Sequence, residues 1–562
     1  MNTSSVYDHY YGYEETTRML KEYVAQYPDY INISSLLHTE EGREVWLVAL
    51  TDTRTGDYSE KPAYCAIGPV HCQEVVGVMT VMHFVDYLLT NKDEPQVAQL
   101  LKDYTVYLIP MATPDGTDRV LNTSEIPRSI ARKLNDDATY KGIMKKDMDG
   151  DGIVRVMRFR DPYGPWKISQ EDPRVMILRK PDELEGEFYM VLNEGEFECE
   201  DWRDHLYNGP ERYPYNMNRN WPYDWLPAVS QKGAGDYPLQ ADENKAIADF
   251  IVSHKNLCFI LSFHSSGGVL FYPPATQPQT ALNRFDMRVM HAFVGIGTEE
   301  TGYASRNLYE AFARQGIPLA GPWDDYLLLC RGLFCHAIEC WDWEIRAGID
   351  PKWDRPIINR DPKYAHDNEL KFLRWVDKNC GTDVFKPWTK FSHPQLGEVE
   401  IGGFSQVFVN NPPIPFLKQE LEKATRLMAR QIRLLPKLEI EQPTCRALRP
   451  GVYSVQAVIK NEGYLPTYVS HEAKKLGMDR PVSASLLGVT DYINCSATQV
   501  IGNLEGRSSI EADLRDTNYI MAPHEACFKT VAWTVEAPAG TALTLQVKSN
   551  CGGCKSTQII LK

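Results

Sequence analysis

The stretch AYCAIGPVHCQEVVGVMTVMHFVDYLL, residues 63–89, frames the reading of the whole chain. Its first part, Ala63 to Val70, is an apolar run of strand length. Its last part, Val75 to Leu89, is apolar over a helical length, interrupted by His83 and Asp86. Between the two, at the strand-to-helix turn, stand His71 and Glu74. In sheets covered by helices, ligand sites gather at the carboxyl ends of strands, so this turn is a candidate site.

The same alternation continues on both sides. Met19, Leu20, Tyr23, Val24 and Tyr27 recur at helical spacing within Glu14 to Tyr27, and Pro28 closes that helix. Val45 to Thr51, Thr105 to Pro110, Cys258 to Phe263 and Leu333 to Cys340 read as strands. Glu243 to His254, Leu308 to Gln315 and a charged segment from Phe416 to about Leu435 read as helices. Strands separated by helices predict an α/β fold with a mixed or mostly parallel sheet. From Asn122 to Tyr213 the periodicity fades, and a bare loop of that length is improbable, so an insertion with structure of its own is expected. Past Pro436, four β-rich segments, Gly451 to Lys460, Val482 to Leu487, Cys527 to Val535 and Ala542 to Val547, predict a C-terminal β-sandwich. The expected division is a catalytic-type unit over residues 1–437, with its insertion at about 122–213, and a β-sandwich over residues 438–562.

The pattern HxxE occurs four times, and context chooses among the copies. His336 and Glu339 lie on a predicted strand, where an offset of three sends side chains to opposite faces. His38 with Glu41 and His366 with Glu369 sit in polar segments. His71 and Glu74 sit at a strand end, and so does His264, just before Ser265-Ser266-Gly267-Gly268. Two imidazoles and one carboxylate leave the fourth position of a zinc ion open, which is the catalytic pattern.

Five motifs in order, Gly68-Pro69-Val70-His71-Cys72-Gln73-Glu74, Thr113-Pro114-Asp115-Gly116, Asn218-Arg219-Asn220-Trp221, Ser262-Phe263-His264-Ser265 and Ala337-Ile338-Glu339-Cys340-Trp341, resemble the M14 family of zinc carboxypeptidases over about residues 7–435. The resemblance implies a mixed eight-stranded sheet flanked by helices, with Zn2+ held by His71, Glu74 and His264. It implies Glu339 as general base and then acid. It also implies that Asn218 and Arg219 capture the terminal carboxylate of a peptide substrate, a task that suits the two parallel donors of a guanidinium. A further family arginine polarises the scissile carbonyl. Arg132 resembles it best, Arg128 is its near competitor, and Arg158 and Arg203 remain open. The resemblance also implies that Asp324, just before the Asp325-Tyr326 step, lies in the specificity pocket, where it would favour a C-terminal Lys or Arg.

Two positions depart from the family pattern. Asn216 stands where many members have an Asp that orients a zinc-binding imidazole, so the ring keeps an acceptor but gains no charge. No tyrosine occurs from Gly316 to Trp323, where the family's mobile active-site tyrosine belongs, which leaves Tyr326 or Trp323 to substitute. The activity expected is that of a metallocarboxypeptidase. The alternatives are a peptidoglycan-type or isopeptide amidase, or a catalytically silent peptide- or glycan-binding protein.

Other features bound these expectations. Asp147, Asp149 and Asp151 with Gly152 satisfy the first half of a calcium loop. Arg158 stands where its bidentate Glu would be, so an EF-hand is excluded, and a Ca2+ site or a solvated acidic turn remains. A formal charge of -15 opposes a nucleic-acid partner. No apolar run is long enough to span a membrane. Thirteen cysteines, many flanked by apolar residues, fit a reducing compartment, and with no export signal in the opening residues a cytoplasmic location is expected. Cys551 and Cys554 are either a labile disulfide or two thiols.

Overall fold

In the computed structural model, the residues described are 7–132, 140–317, 319–350, 362–380, 384–509 and 526–562. Eight strands form the main sheet: β1 (Ile31–His38), β2 (Glu44–Leu50), β3 (Ala63–Ile67), β4 (Thr105–Ile109), β5 (Leu257–Ser265), β6 (Val269–Tyr272), β7 (Ala304–Asn307) and β8 (Phe334–Cys340). Their order is β1-β2-β4-β3-β5-β8-β6-β7. The central run β4-β3-β5-β8 is parallel, while β1, β2 and β6 introduce antiparallel pairings, so the sheet is mixed. All nine residues of β5 are buried, as a strand covered on both faces requires.

One face is covered by α1 (Tyr13–Gln26), α2 (Val76–Thr90), α4 (Arg284–Thr301) and α5 (Ile414–Ile432); the other takes α3 (Asp242–Ser253). Helix α2 is apolar nearly all round because it is sandwiched between the sheet and α5. The two apolar layers are separate: Val81, Phe259, Phe293 and Leu421 belong to one, and Ile67, Phe250, Trp221 and Ile260 to the other. Strands β1, β6 and β7 and helix α4 were not anticipated. Strand β7, Ala-Ser-Arg-Asn, is too short and too polar to carry a strand signal.

The insertion does have structure, but not by itself. Its strands Val156–Arg160, Trp166–Ile168, Met176–Leu178 and Tyr189–Asn193 join the hairpin Phe385–His393 and Gly397–Phe404 in one six-stranded sheet. Met157, Leu192, Val399 and Ile401 close a small core between these distant segments.

Beyond the main sheet's last helix, a five-stranded and a four-stranded antiparallel sheet face each other across Val455, Trp533, Val482 and Leu545. Along Val452–Asn461 buried and half-exposed positions alternate, which is the period of a strand with one dry face. This sandwich is clamped to the main sheet. The Ser470 hydroxyl donates to Gly332 O at 2.6 Å, and Lys437 and Lys555 reach the buried Asp103 at 3.3 and 3.4 Å. All thirteen cysteines are free, so Cys551 and Cys554 are thiols. Among the described residues, no helix is long and apolar enough to cross a membrane.

Candidate metal centre

The site begins where β3 ends. Gly68 lets the chain pass so close to the end of β4 that a Cβ there would meet Pro110 O at 2.0 Å, and the chain then turns through His71 and Glu74 into α2. His264 emerges at the end of β5, and Glu339 is its lateral neighbour in the parallel register with β8. His336, three residues earlier, points to the opposite face, where Gln431 Nε2 lies 2.7 Å from its Nε2. The offset of three therefore separates these two side chains as strand geometry demands.

His71, Glu74 and His264 converge. His71 Nδ1 lies 2.8 Å from Glu74 Oε1, His264 Nδ1 lies 3.0 Å from Glu74 Oε2, and the two Nδ1 atoms are 3.2 Å apart. All three residues are at most 5% exposed. Burial, reinforced by Arg128, pushes the His71 imidazole down to about 3. Burial works against ionising Glu74, but His71 and His264 together outweigh it and hold the carboxyl well below its usual range. Burial would likewise lower His264, yet the Glu74 carboxylate raises it. Two ring nitrogens and a carboxylate aimed at one point, with ligand atoms all within 4.8 Å of one another, form a donor set that fits a divalent zinc ion. Asn216 Oδ1, 3.1 Å from His71 Nε2, holds the far side of that ring, while the same oxygen accepts the Asn218 N–H at 2.9 Å.

These groups open on a cavity of about 300 Å³ whose wall also includes Arg128, Asn218, Arg219, Asp324 and Glu339. Arg128 Nη1 reaches Glu74 Oε1 at 3.4 Å. Arg219 donates to Asn218 O at 2.6 Å, and burial together with Arg128 lowers its pKa to about 10. Asp324 is 2% exposed; burial lifts it to about 7, against the pull of His264.

Residues 16–149 and 188–315 match the zinc carboxypeptidase model of the peptidase M14 type. This part of the chain belongs to the zinc carboxypeptidase family. Among curated relatives, human carboxypeptidase D is 26% identical over 135 residues, which is 23% of this chain and 10% of that protein. A zinc carboxypeptidase of Saccharothrix mutabilis subsp. capreolus is 26% identical over 142 residues, or 25% of this chain and 32% of that one. An inactive metallocarboxypeptidase (ecm14) of Talaromyces marneffei is also 26% identical, over 113 residues, covering 20% of this chain and 19% of that one. The chain thus spans at most a third of the length of these relatives. Bovine thrombin-activatable fibrinolysis inhibitor, solved in complex with tick carboxypeptidase inhibitor, aligns over 76% of this chain and 98% of its own at 13% identity and a TM-score of 0.42. Residues 437–560 match a family described only as a domain of unknown function.

Within this zinc carboxypeptidase domain several expected residues stand elsewhere. Arg132 is not in the metal cavity. Its guanidinium turns away to Glu40 at 2.6 Å and Asp242 at 3.4 Å, in a separate small cavity, and Arg128 takes the place beside the donors. Arg158 is spent within the insertion sheet on Glu400 and the Trp388 ring, and Arg203 lies over Trp202. Trp323 and Tyr326 both pack on Trp221, with ring centroids 4.6 and 5.0 Å away, and are buried in the core, so neither stands in for the missing tyrosine. The Asp147-Asp149-Asp151 loop lends no support to a calcium ion. Asp147 accepts the Gly150 and Gly152 N–H groups, Asp151 accepts that of Ile153, and Lys386 Nζ contacts both Asp149 and Asp151, at 2.7 Å for Asp151. A lysine supplies the charge there.

Sequence reasoning missed the apolar side of the cavity, Phe271, Leu308, Phe312 and Leu319, and also Asn410. The two phenylalanine rings lie tilted at 52° to each other, with centroids 5.4 Å apart. Phe271 lies on the unanticipated β6, and nothing local marks Asn410 as a neighbour of residues more than 300 positions earlier.

Proposed function

We propose that this chain is a zinc-dependent metallocarboxypeptidase that hydrolyses C-terminal peptide bonds. One observation carries the reading: two buried imidazoles and a carboxylate share a cavity with Glu339, Arg128 and Arg219. His71, Glu74 and His264 would hold the zinc. When bound, zinc acts as a Lewis acid that polarises the scissile carbonyl and makes water nucleophilic near neutral pH. Glu339, beside His264 across the β5–β8 pairing, takes the proton of the attacking water and returns it to the nitrogen of the leaving amine. Arg128 faces the charge that develops on the carbonyl oxygen. Arg219, steadied through Asn218, offers parallel donors to the terminal carboxylate, which makes the reaction an exopeptidase cleavage. Asp324 lines the same cavity and favours a terminal Lys or Arg.

The test compares parent and Glu339→Gln for bound zinc and for release of the last residue from peptides ending in Lys, Glu and Phe. Retained zinc with turnover reduced on the order of 10²- to 10⁴-fold supports Glu339 as the proton carrier. Full turnover in the variant removes that role. A parent that binds zinc but releases no residue favours the silent binding protein, a reading to which the inactive Talaromyces relative lends weight.

A further inference from the structure

We infer that the seam between the main sheet and the C-terminal sandwich holds a second ligand site, specific for a small organic phosphate. A cavity of about 300 Å³ opens there, at the amino ends of β5 and β8. His264 lies seven residues further along β5, so this cavity is roughly 23 Å of strand from the metal centre.

Its polar lining is cationic. Lys255 and Arg331 come from the turns that lead into β5 and β8, and Arg480 comes from the C-terminal half of the chain, beside the sandwich. Among the described residues none of the three forms an ion pair. Lys255 and Arg480 donate only to backbone carbonyls, those of Val252, Gly477 and Asp479. Arg331 is partly buried, and its Nε is fully shielded from solvent without a partner. The single carboxylate on the wall, Asp479, accepts from Asn503 Nδ2 at 2.8 Å.

The turn that carries Arg331 is fixed in place. Gly332 follows with φ +65°, a Cβ there would meet Ala473 Cα at 2.5 Å, and Ser470 bonds its carbonyl. The cavity is larger than a bare phosphate requires, and Leu333, Val469 and Met478 give it an apolar wall. Three cations and a set of aliphatic groups lining one cavity suit a dianionic phosphate on a small apolar body.

Thermal unfolding and calorimetry of the full chain with phenyl phosphate, inorganic phosphate and phenol test this. The expected result is a concentration-dependent rise in Tm with phenyl phosphate, a smaller rise with inorganic phosphate, none with phenol, and a stoichiometry of about one. Arg331→Gln and Arg480→Gln should each weaken phenyl phosphate binding by at least about tenfold without changing zinc content. Arg480 is exposed, so its variant keeps the test sound if Arg331→Gln fails to fold. Arg128→Ala should leave binding intact. No phosphate-dependent shift in the parent, equal binding by Arg480→Gln, or loss in Arg128→Ala overturns the proposal, the last by tracing the phosphate to the metal cavity.

Discussion

Among the described residues, two clusters, one of two imidazoles and a carboxylate and one of three carboxylates, have the ligand atoms for a cation, and they differ in what surrounds them. His71, Glu74 and His264 are buried at the ends of β3 and β5, fixed by two strands and a helix, and turned toward one another. Asp147, Asp149 and Asp151 lie on a partly exposed loop, and their oxygens are occupied by that loop's own N–H groups and by Lys386. Proximity of donors is common to both. What separates them is whether a residue outside the cluster already answers the charge. Lys386 does so in the second, while in the first Glu74 relies on the cluster's own imidazoles, with Arg128 no nearer than 3.4 Å.

The sharpest way to break this contrast is to remove a carboxylate from each cluster. Glu74→Ala should weaken zinc binding by more than about 100-fold, beyond what the loss of a supporting group alone produces. The triple change of Asp147, Asp149 and Asp151 to Asn should leave zinc content as it is in the parent. Metal analysis after equilibrium dialysis reads both. Zinc lost from the loop variant, or kept by Glu74→Ala, would erase the distinction.

Next in size is the pair Arg128 and Arg132, four residues apart in sequence and in different cavities. Arg128→Ala should lower kcat/KM by about 10²- to 10³-fold, the range for losing a donor to a developing oxyanion. Arg132→Ala should leave kcat/KM near the parent value and cost at most about 1 kcal/mol of stability, because its pairs with Glu40 and Asp242 are partly solvated. The reverse order in a peptide assay would restore Arg132 to the site.

These two arginines also mark how far the sequence could be read. The donor positions were legible because each follows an apolar run whose length declares a strand, and a strand end has a defined place in a covered sheet. Residues 123–132 have no such period, so the choice between Arg128 and Arg132 depended on how the loop turns back. The structure shows it held by Cys72 N–H donating to Arg128 O at 3.0 Å and Arg128 N–H donating to Tyr213 O at 3.2 Å. Both partners are distant in sequence. The insertion sheet was hidden for the same reason, since Val156–Arg160 pairs with Gly397–Phe404 and neither segment alone reveals its edge. In the C-terminal sandwich the partners are also far apart, yet alternation along each strand exposed it.

A smaller effect lies beside Arg132. Glu243 is 5% exposed, one of its oxygens is unpartnered, and burial lifts its pKa to about 7 despite the pull of Arg132. Its folded pKa is above the unfolded value, so the folded chain binds the extra proton between about pH 4.5 and 7. Its contribution to stability therefore falls as pH rises through that window. Glu243→Gln should match the parent near pH 4 and exceed it by about 1–3 kcal/mol at pH 8. Urea melts at both pH values check the difference, and an equal gap at both would place the effect in packing.

The smallest expected change probes the loop directly. If Lys386 supplies the charge that a metal would otherwise supply, Lys386→Met should leave Asp149 and Asp151 repelling each other beside Asp147, with only Arg155, 2.6 Å from Asp151, still compensating. The cost should be about 1 kcal/mol or less, because the loop is partly solvated and salt screens it. The informative measurement is the calcium dependence of Tm. The parent should show none, since its carboxylates already have donors. The variant should regain part of its loss at millimolar Ca2+, the affinity range of loose, incompletely liganded loops. A calcium response in the parent of the same size as in the variant would mean that Lys386 yields to the ion, and the two clusters would then differ in affinity alone.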